Sequence, residues 1–136
     1  MSLLVDTSVW SLSLRRKSLR DEDTAVIQRL AKAIRDLDVV MIGPIRQEIL
    51  SGIKDKGRFE ELRTRLGIFT DEQIATTDYE LAAEFYNTSR QHGIQGSHID
   101  FLICAVAVNH RLKIFTLDAD FGHYQRHLPI EIERIA

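Results

Sequence analysis

The chain has 136 residues, of which 44% are hydrophobic and 28% charged, and its formal net charge is −2. That length suits one compact core, so we expect residues 1–136 to form a single domain. The charge argues against the overall cationic field of a typical nucleic-acid binder. No apolar run approaches the roughly 20 residues that span a bilayer, and the first residues lack the basic segment of a signal peptide. We therefore expect a cytoplasmic protein with no membrane partner.

Strand and helix patterns alternate along the first half of the chain. Leu3 to Val5 predicts a short buried strand, and a helix follows from near Val9. Apolar side chains recur at helical spacing over about 23–36, which predicts a second helix. Val39 to Ile42 predicts another strand, and Pro44 suits the first turn of the helix that comes after it.

The same alternation continues in the second half. A helix is predicted near 59–66, followed by a short strand at 68–69 or 74–76. Two further helices are predicted, one opened by a Thr77 and Glu80 capping box and one over 98–110 capped by Ser97. The chain then continues with a strand over 113–116, a turn or short helix over 118–125, and a last strand over 130–135. Successive βα units favour a mostly parallel sheet with helices on both faces. We therefore expect an α/β fold, a three-layer α/β/α sandwich with a central sheet of about five strands.

Four acidic residues lie where a strand gives way to a helix, or just inside a helix. They are Asp6, Glu48, Asp100 and Asp118. Asp6 and Asp118 each directly follow an apolar strand, at the edge where α/β sheets bind ligands. Taken alone, Glu48 would suit a solvated helix face, and Asp100 would suit the positive end of a helix dipole. Carboxylates that converge repel one another unless a cation neutralises them, so the set predicts a divalent-metal site.

Cysteine and histidine give weaker signals than the acids. The one cysteine, Cys104, lies in an apolar run, and we expect it to be a buried, inert thiol. The histidines lack the regular spacing of metal ligands on one helix face, so we expect surface or interface positions for all of them. These histidines are His92, His98, His110, His123 and His127.

The order and the residue sequences of the four acidic segments resemble those of PIN-domain ribonucleases, and within them those of the VapC-type toxins of toxin–antitoxin modules. The likeness rests on an opening strand that ends in Asp-Thr-Ser, a helix with Glu-Ile-Leu-Ser-Gly, an Asp at the head of an Ala-rich apolar helix, and a late Thr-x-Asp-x-Asp-Phe. It covers essentially the whole chain, with all four segments in the family's order.

The resemblance implies a site as well as a fold. Its acidic quartet, which would hold Mg²⁺ or Mn²⁺ and hydrolyse RNA through a metal-activated water, corresponds to Asp6, Glu48, Asp100 and Asp118. Asp120 lies in the same last segment as Asp118 and stays open as an additional acid; we prefer Asp118 because it is closer to the strand end. The family's hydroxyl positions, which hydrogen-bond acids or substrate, match Thr7, Ser8 and Thr116.

The resemblance also implies three partners: a structured RNA such as a transfer RNA or a ribosomal RNA loop, a VapB-type antitoxin, and a second copy in a homodimer. Basic residues that follow two of the acids are candidate RNA-backbone contacts. They are Arg15, Arg16, Lys17, Lys54 and Lys56. The apolar residues Trp10, Leu12 and Leu14 either form a groove for an amphipathic partner helix or pack internally.

Three other interpretations remain. Histidines, with His98 foremost, could cleave RNA without metal through its 2′-hydroxyl. A receiver-like signalling module would also bind Mg²⁺ at strand ends, but it needs a lysine after a late strand, whereas Lys113 precedes its strand. A catalytically inactive PIN module that binds RNA or acts as a scaffold is the third, and the complete set of acids argues against it.

Overall fold

A computed structural model describes residues 1–14 and 20–135, so Arg15, Arg16 and Lys17 lie outside the described residues. In these ranges the strands are β1 (Leu3–Val5), β2 (Val39–Val40) and β3 (Lys113–Phe115). The helices are α1 (Thr7–Ser13), α2 (Asp21–Arg35), α3 (Gly43–Leu50), α4 (Lys56–Leu66), α5 (Thr76–Gln91), α6 (His98–His110) and α7 (Asp120–Gln125). None of these helices is both long and apolar enough to cross a membrane.

A parallel sheet with the strand order β2-β1-β3 organises the described chain. Leu3 of β1 is in register with Val39 of β2 on one side and with Lys113 of β3 on the other. All three residues of β1 are fully buried, as expected for the central strand of a sheet that is covered on both faces. The predicted α/β class with a parallel sheet is confirmed.

The prediction of about five strands is wrong, because the sheet formed by residues 1–14 and 20–135 has three. Asp71, which lies between the two candidate ranges for the third strand, makes an isolated parallel bridge with Met41, and Ile132 of the expected last strand makes one with Ile114. An edge segment pairs on one side only, so it gains fewer backbone hydrogen bonds than a central strand. The candidate strand at 74–76 is also shortened, because α5 already begins at Thr76.

The helices form two packed groups. Contacts join α1 to α2 and α3, and α3 to α4, whereas α6 packs against α5 and β3. The connection from β1 to β2 and the connection from β2 to β3 cross the sheet in opposite directions. Right-handed crossovers therefore favour the α2 and α5–α6 connections on opposite faces. Helix α6 is buried without interruption over residues 101–107, and the burial predicted for Cys104 is confirmed.

Capping confirms one predicted helix start and corrects another. The Oγ of Ser97 accepts a hydrogen bond from the backbone N–H of Asp100 at 3.1 Å, as expected for the cap of α6. The capping box of Thr77 and Glu80 is wrong. The N-cap of α5 lies two residues earlier, at Ala75, and the carboxylate that reaches back to the backbone N–H of Ala75 is that of Asp78, at 2.9 Å.

His110 does not have the surface position expected of it. It is half-buried at the end of α6, with Nδ1 3.0 Å from Oε2 of Glu72 and Nε2 2.9 Å from Oδ2 of Asp78. Asn109 donates to the other oxygen of Asp78 at 2.8 Å. A neutral imidazole donates from one nitrogen only, whereas the charged form donates from both, so this network favours the cation.

The histidine network makes the stability of the fold depend on pH. Burial opposes the charged imidazole, but the hydrogen bonds to Asp78 and Glu72 outweigh it and raise the pKa of His110 above 6.5. A raised folded-state pKa contributes stability that is complete below the unfolded pKa and is lost as pH rises through the folded value. We expect the free energy of unfolding, measured in urea, to fall as pH rises above about 6.5.

His110→Gln should remove most of that slope, while His123→Gln, a change of an exposed histidine on α7, should keep it. A His110→Gln variant with the slope of the unmodified chain would show that another group controls it.

Candidate functional site

The carboxylate of Asp6 lies where two neighbouring strands end. Asp6 directly follows β1 at the N-cap position of α1 and is only 7% exposed. It makes no capping bond; instead its Oδ2 accepts hydrogen bonds from Ser8 Oγ and Thr116 Oγ1, each at 2.8 Å. Thr116 directly follows β3, so the two hydroxyls fix one buried anion against the ends of both strands without neutralising its charge.

The chain after β3 is bound to the same two hydroxyls. Ser8 Oγ accepts the backbone N–H of Leu117 at 2.9 Å, and Thr116 Oγ1 accepts that of Asp118 at 3.0 Å. Each hydroxyl has one proton to give, and each gives it to Asp6. Asp118 Oδ1 then accepts the backbone N–H of Asp120 at 2.9 Å, which turns both acids of the last segment toward the site.

Asp100 enters the site from the first turn of α6. The hydroxyl of Tyr124, a fully buried residue of α7, donates to its Oδ2 at 2.6 Å. Burial raises the pKa of Asp100, the hydrogen bond from Tyr124 lowers it, and the charges of Asp118 and Asp6 raise it further, so the net shift is upward. Burial likewise raises the pKa of Tyr124, which keeps its hydroxyl protonated as a donor. No sequence pattern pointed to Tyr124, because a tyrosine in a short amphipathic helix normally indicates core packing.

Three acids form the tightest group. Asp100, Asp118 and Asp120 each offer a carboxylate oxygen, and these oxygens lie within 4.8 Å of one another. Asp6 is not one of the three, although its charge acts on Asp100 and its hydroxyl partner Thr116 holds the segment that carries Asp118. The cluster includes both Asp118 and Asp120, so the geometry gives no reason to choose between them.

Glu48 is joined to this region through the residue after Asp6. It is exposed on α3, and Thr7 Oγ1 donates to its Oε1 at 2.8 Å. The donor set of the site is therefore carboxylate oxygen with supporting hydroxyls. Hard oxygen ligands of this kind suit Mg²⁺ and Mn²⁺, and a divalent cation would offset the repulsion among the acids. The residues present fit such an ion.

The other described residues singled out in the sequence are two exposed lysines and three apolar residues in or directly after α1. Lys54 and Lys56 are exposed around the start of α4. Trp10 and Leu12 are buried, so internal packing applies to both; the Trp10 indole N–H donates to the carbonyl of Val5 at 3.1 Å. Leu14 is half-buried.

An apolar groove nevertheless opens beside Trp10 and Leu14, between α1, α2 and α4. Its volume is about 260 Å³. Ile27, Ala31 and Ile34 of α2 line one side of it, which gives the groove a wall of aliphatic side chains along one helix face.

Comparisons with known proteins agree on one family. The model of the PIN domain matches residues 3–126. VapC ribonuclease Mb1587 of Mycobacterium bovis is 32% identical over 124 residues, which cover 88% of each chain. Two solved structures share the fold. FitAcB from Neisseria gonorrhoeae has a TM-score of 0.77 and 20% identity, with coverage of 97% of this chain and 96% of that one. VapBC2 from Rickettsia felis bound to a promoter DNA fragment has a TM-score of 0.67 and 16% identity, with coverage of 98% of both chains.

Gly96 tests how the Asp100 carboxylate is held. A Cβ at Gly96 would lie 2.5 Å from the Tyr124 hydroxyl oxygen and 2.9 Å from Cζ of Phe101, so Gly96→Ala must displace the donor to Asp100. We expect a loss of about 1–3 kcal/mol in the free energy of unfolding, measured in urea. Gly122→Ala is the matched control, since its Cβ meets open space within a helix and should be neutral or stabilising. Equal stability of the two variants would contradict the tight packing of Tyr124.

Proposed function

The chain belongs to the PIN-domain family, and from that premise we propose that it is a divalent-metal-dependent endoribonuclease that acts as the VapC-type toxin of a toxin–antitoxin module. The observation that carries the proposal is the convergence of Asp100, Asp118 and Asp120, with the buried Asp6 beside them. A catalytically inactive RNA-binding module is the second candidate, but it would have no need of so many adjacent carboxylates, which destabilise the fold unless a cation is bound.

Asp6, Glu48, Asp100 and Asp118 would hold the ion, with Asp120 as an additional acid of the site. When bound, Mg²⁺ or Mn²⁺ would supply a more acidic water and offset charge that builds up on the phosphate. The protein's part is to fix the ligands in place. Ser8 and Thr116 orient Asp6, and Tyr124 orients Asp100. Hydrogen bonds of this kind to metal ligands typically matter tenfold to a hundredfold in affinity or activity.

Basic residues outside the acidic cluster would bind the RNA backbone. Lys54 and Lys56 are exposed and border the helix that follows the Glu48 segment, and Arg15 to Lys17 follow α1 in the sequence. We assign these residues phosphate contacts, which position a strand without reading its bases. A structured RNA, such as a transfer RNA or a ribosomal RNA loop, is the substrate class that we propose.

The proposal predicts the loss of cleavage when a ligand loses its charge. Asp6→Asn and Asp100→Asn should each reduce Mg²⁺-dependent cleavage of total RNA by at least about a hundredfold, since each removes a charged ligand with little change in size. Asp36→Asn is the control, because Asp36 pairs with Lys32 at the exposed end of α2. The fragments should end in 5′-phosphate and 3′-hydroxyl groups. Cyclic 2′,3′-phosphate ends, or full activity in EDTA, would support the histidine mechanism and count against the metal site.

We also propose that a small VapB-type antitoxin binds the apolar groove with an amphipathic helix and sets a basic side chain against the acids. The groove's aliphatic wall on α2 fits the apolar face of such a helix. We also propose that the chain forms a homodimer, because two-fold dimers are common in the family that it resembles.

Filling the groove should separate antitoxin binding from catalysis. When the unmodified chain is co-expressed with the product of the adjacent small gene, the two should co-purify as a complex that does not cleave RNA. In sedimentation, the complex should contain two copies of the chain. Ala31→Arg, which fills the groove from α2, should lose the partner but keep RNA cleavage. Gln28→Arg adds the same side chain at an exposed position one turn earlier and should still bind. A partner that binds Ala31→Arg unchanged would place the contact elsewhere.

A further inference from the structure

An aromatic stack lies on the flank of α6 that faces α5, and its residue His98 is two positions before Asp100 in the sequence. The ring of His98 lies parallel to that of Tyr86, with centroids 4.9 Å apart and an angle of 12° between the ring planes. The guanidinium carbon of Arg90 lies 4.8 Å from the Tyr86 centroid. We call Tyr86, Arg90 and His98 together the His98 platform.

The platform is rigid on its inner side and open on its outer side. Tyr86 is half-buried and packs edge-on against the buried ring of Phe101, with centroids 5.7 Å apart. His98 and Arg90 are exposed, so Tyr86 covers one face of the imidazole while the ring itself remains accessible to solvent. A concave region of about 420 Å³ adjoins it, lined in part by His98, Tyr86 and Asn87. That volume admits a flat heterocycle.

The position of the platform relates it to the site. His98 and Asp100 are two residues apart at the start of α6, so their side chains leave the helix in nearly opposite directions. Asp100 points toward Tyr124 and the other acids, and His98 points toward α5. A strand whose phosphate lies at the acids would thus bring a neighbouring nucleotide, and not the cleaved one, to the platform.

We propose that the His98 platform binds an unpaired base of the RNA next to the cleaved bond, a step that rests on the nuclease function proposed above. Bases of single-stranded RNA stack on aromatic side chains and on Arg guanidinium planes. Arg90 adds a positive charge that a polyanion needs near an acidic site. Stacking tolerates any base, so the platform selects unpaired over paired nucleotides and leaves sequence choice to other contacts.

Binding can be measured without cleavage. The probe is a short fluorescein-labelled oligoadenylate in Ca²⁺ in place of Mg²⁺, and fluorescence anisotropy gives its Kd. His98→Ala should weaken binding about tenfold to a hundredfold, whereas His98→Phe, which keeps a ring to stack on, should stay within a few-fold of the unmodified chain. Arg90→Gln should weaken binding and reduce its salt dependence, while Arg111→Asn, at the C-cap of α6, should do neither.

Three results would overturn the proposal. One is equal affinity of His98→Ala and the unmodified chain, or equal loss in His98→Ala and His98→Phe. Another is binding of an RNA duplex as tight as that of the single strand. The third is a change from dimer to monomer in the sedimentation of His98→Ala, which would assign this face to a second copy. If the His98 substitutions weaken binding as expected but the protein cleaves no RNA, only the nuclease proposal is contradicted. If the protein cleaves RNA but its affinity for the oligoadenylate is the same with and without the His98 ring, only the platform proposal is contradicted.

Discussion

The site depends on one constraint, the fixation of the Asp6 carboxylate between the ends of β1 and β3. Two hydroxyls, one on each side, donate to the same oxygen and at the same time accept backbone N–H groups of the segment that leads to Asp118. Strand pairing, helix start and acidic loop are thereby one hydrogen-bonded unit. A change at Ser8 or Thr116 would move the last acid as well as the first.

Among the described residues, the hydrogen bonds that hold Asp6 and Asp100 come from neutral groups and leave the negative charge of the site without a positive partner. Ser8, Thr116 and Tyr124 are neutral donors, so they orient carboxylates and remove no charge. Within the described residues, the acidic cluster contrasts with Asp78, where His110 supplies a positive partner and the pKa is lowered despite burial. The same fold thus neutralises the acid that joins α5 to α6 and leaves the acids at the sheet edge available for a cation.

The sequence predicted the parts of this structure that follow from local pattern. Asp6 and Asp118 each follow an apolar strand in the sequence, and parallel strands end at one edge, so both acids were expected at the same edge of the sheet. Ser97 followed from its spacing to Asp100. The prediction of the outer strands failed because a short segment with two or three apolar residues does not reveal whether it has a neighbouring strand on one side or on both. The role of Tyr124 was not predicted because its partner Asp100 is 24 residues away, and no local sequence pattern identifies a buried tyrosine as a hydrogen-bond donor to an acid. The role of Asp120 could not be separated from that of Asp118 by sequence, and in space both join the cluster.

The most direct test of the central claim, that these acids are arranged to hold a divalent cation, is thermal unfolding in the presence of Mn²⁺. A ligand that binds only the folded chain raises its stability by about 2.7 kcal/mol at a hundred times its Kd. The unmodified protein should therefore unfold at a higher temperature in Mn²⁺, EDTA should reverse the effect, and Asp6→Asn should show little of it. An unfolding temperature that Mn²⁺ leaves unchanged, or raises equally in Asp6→Asn, would contradict the account.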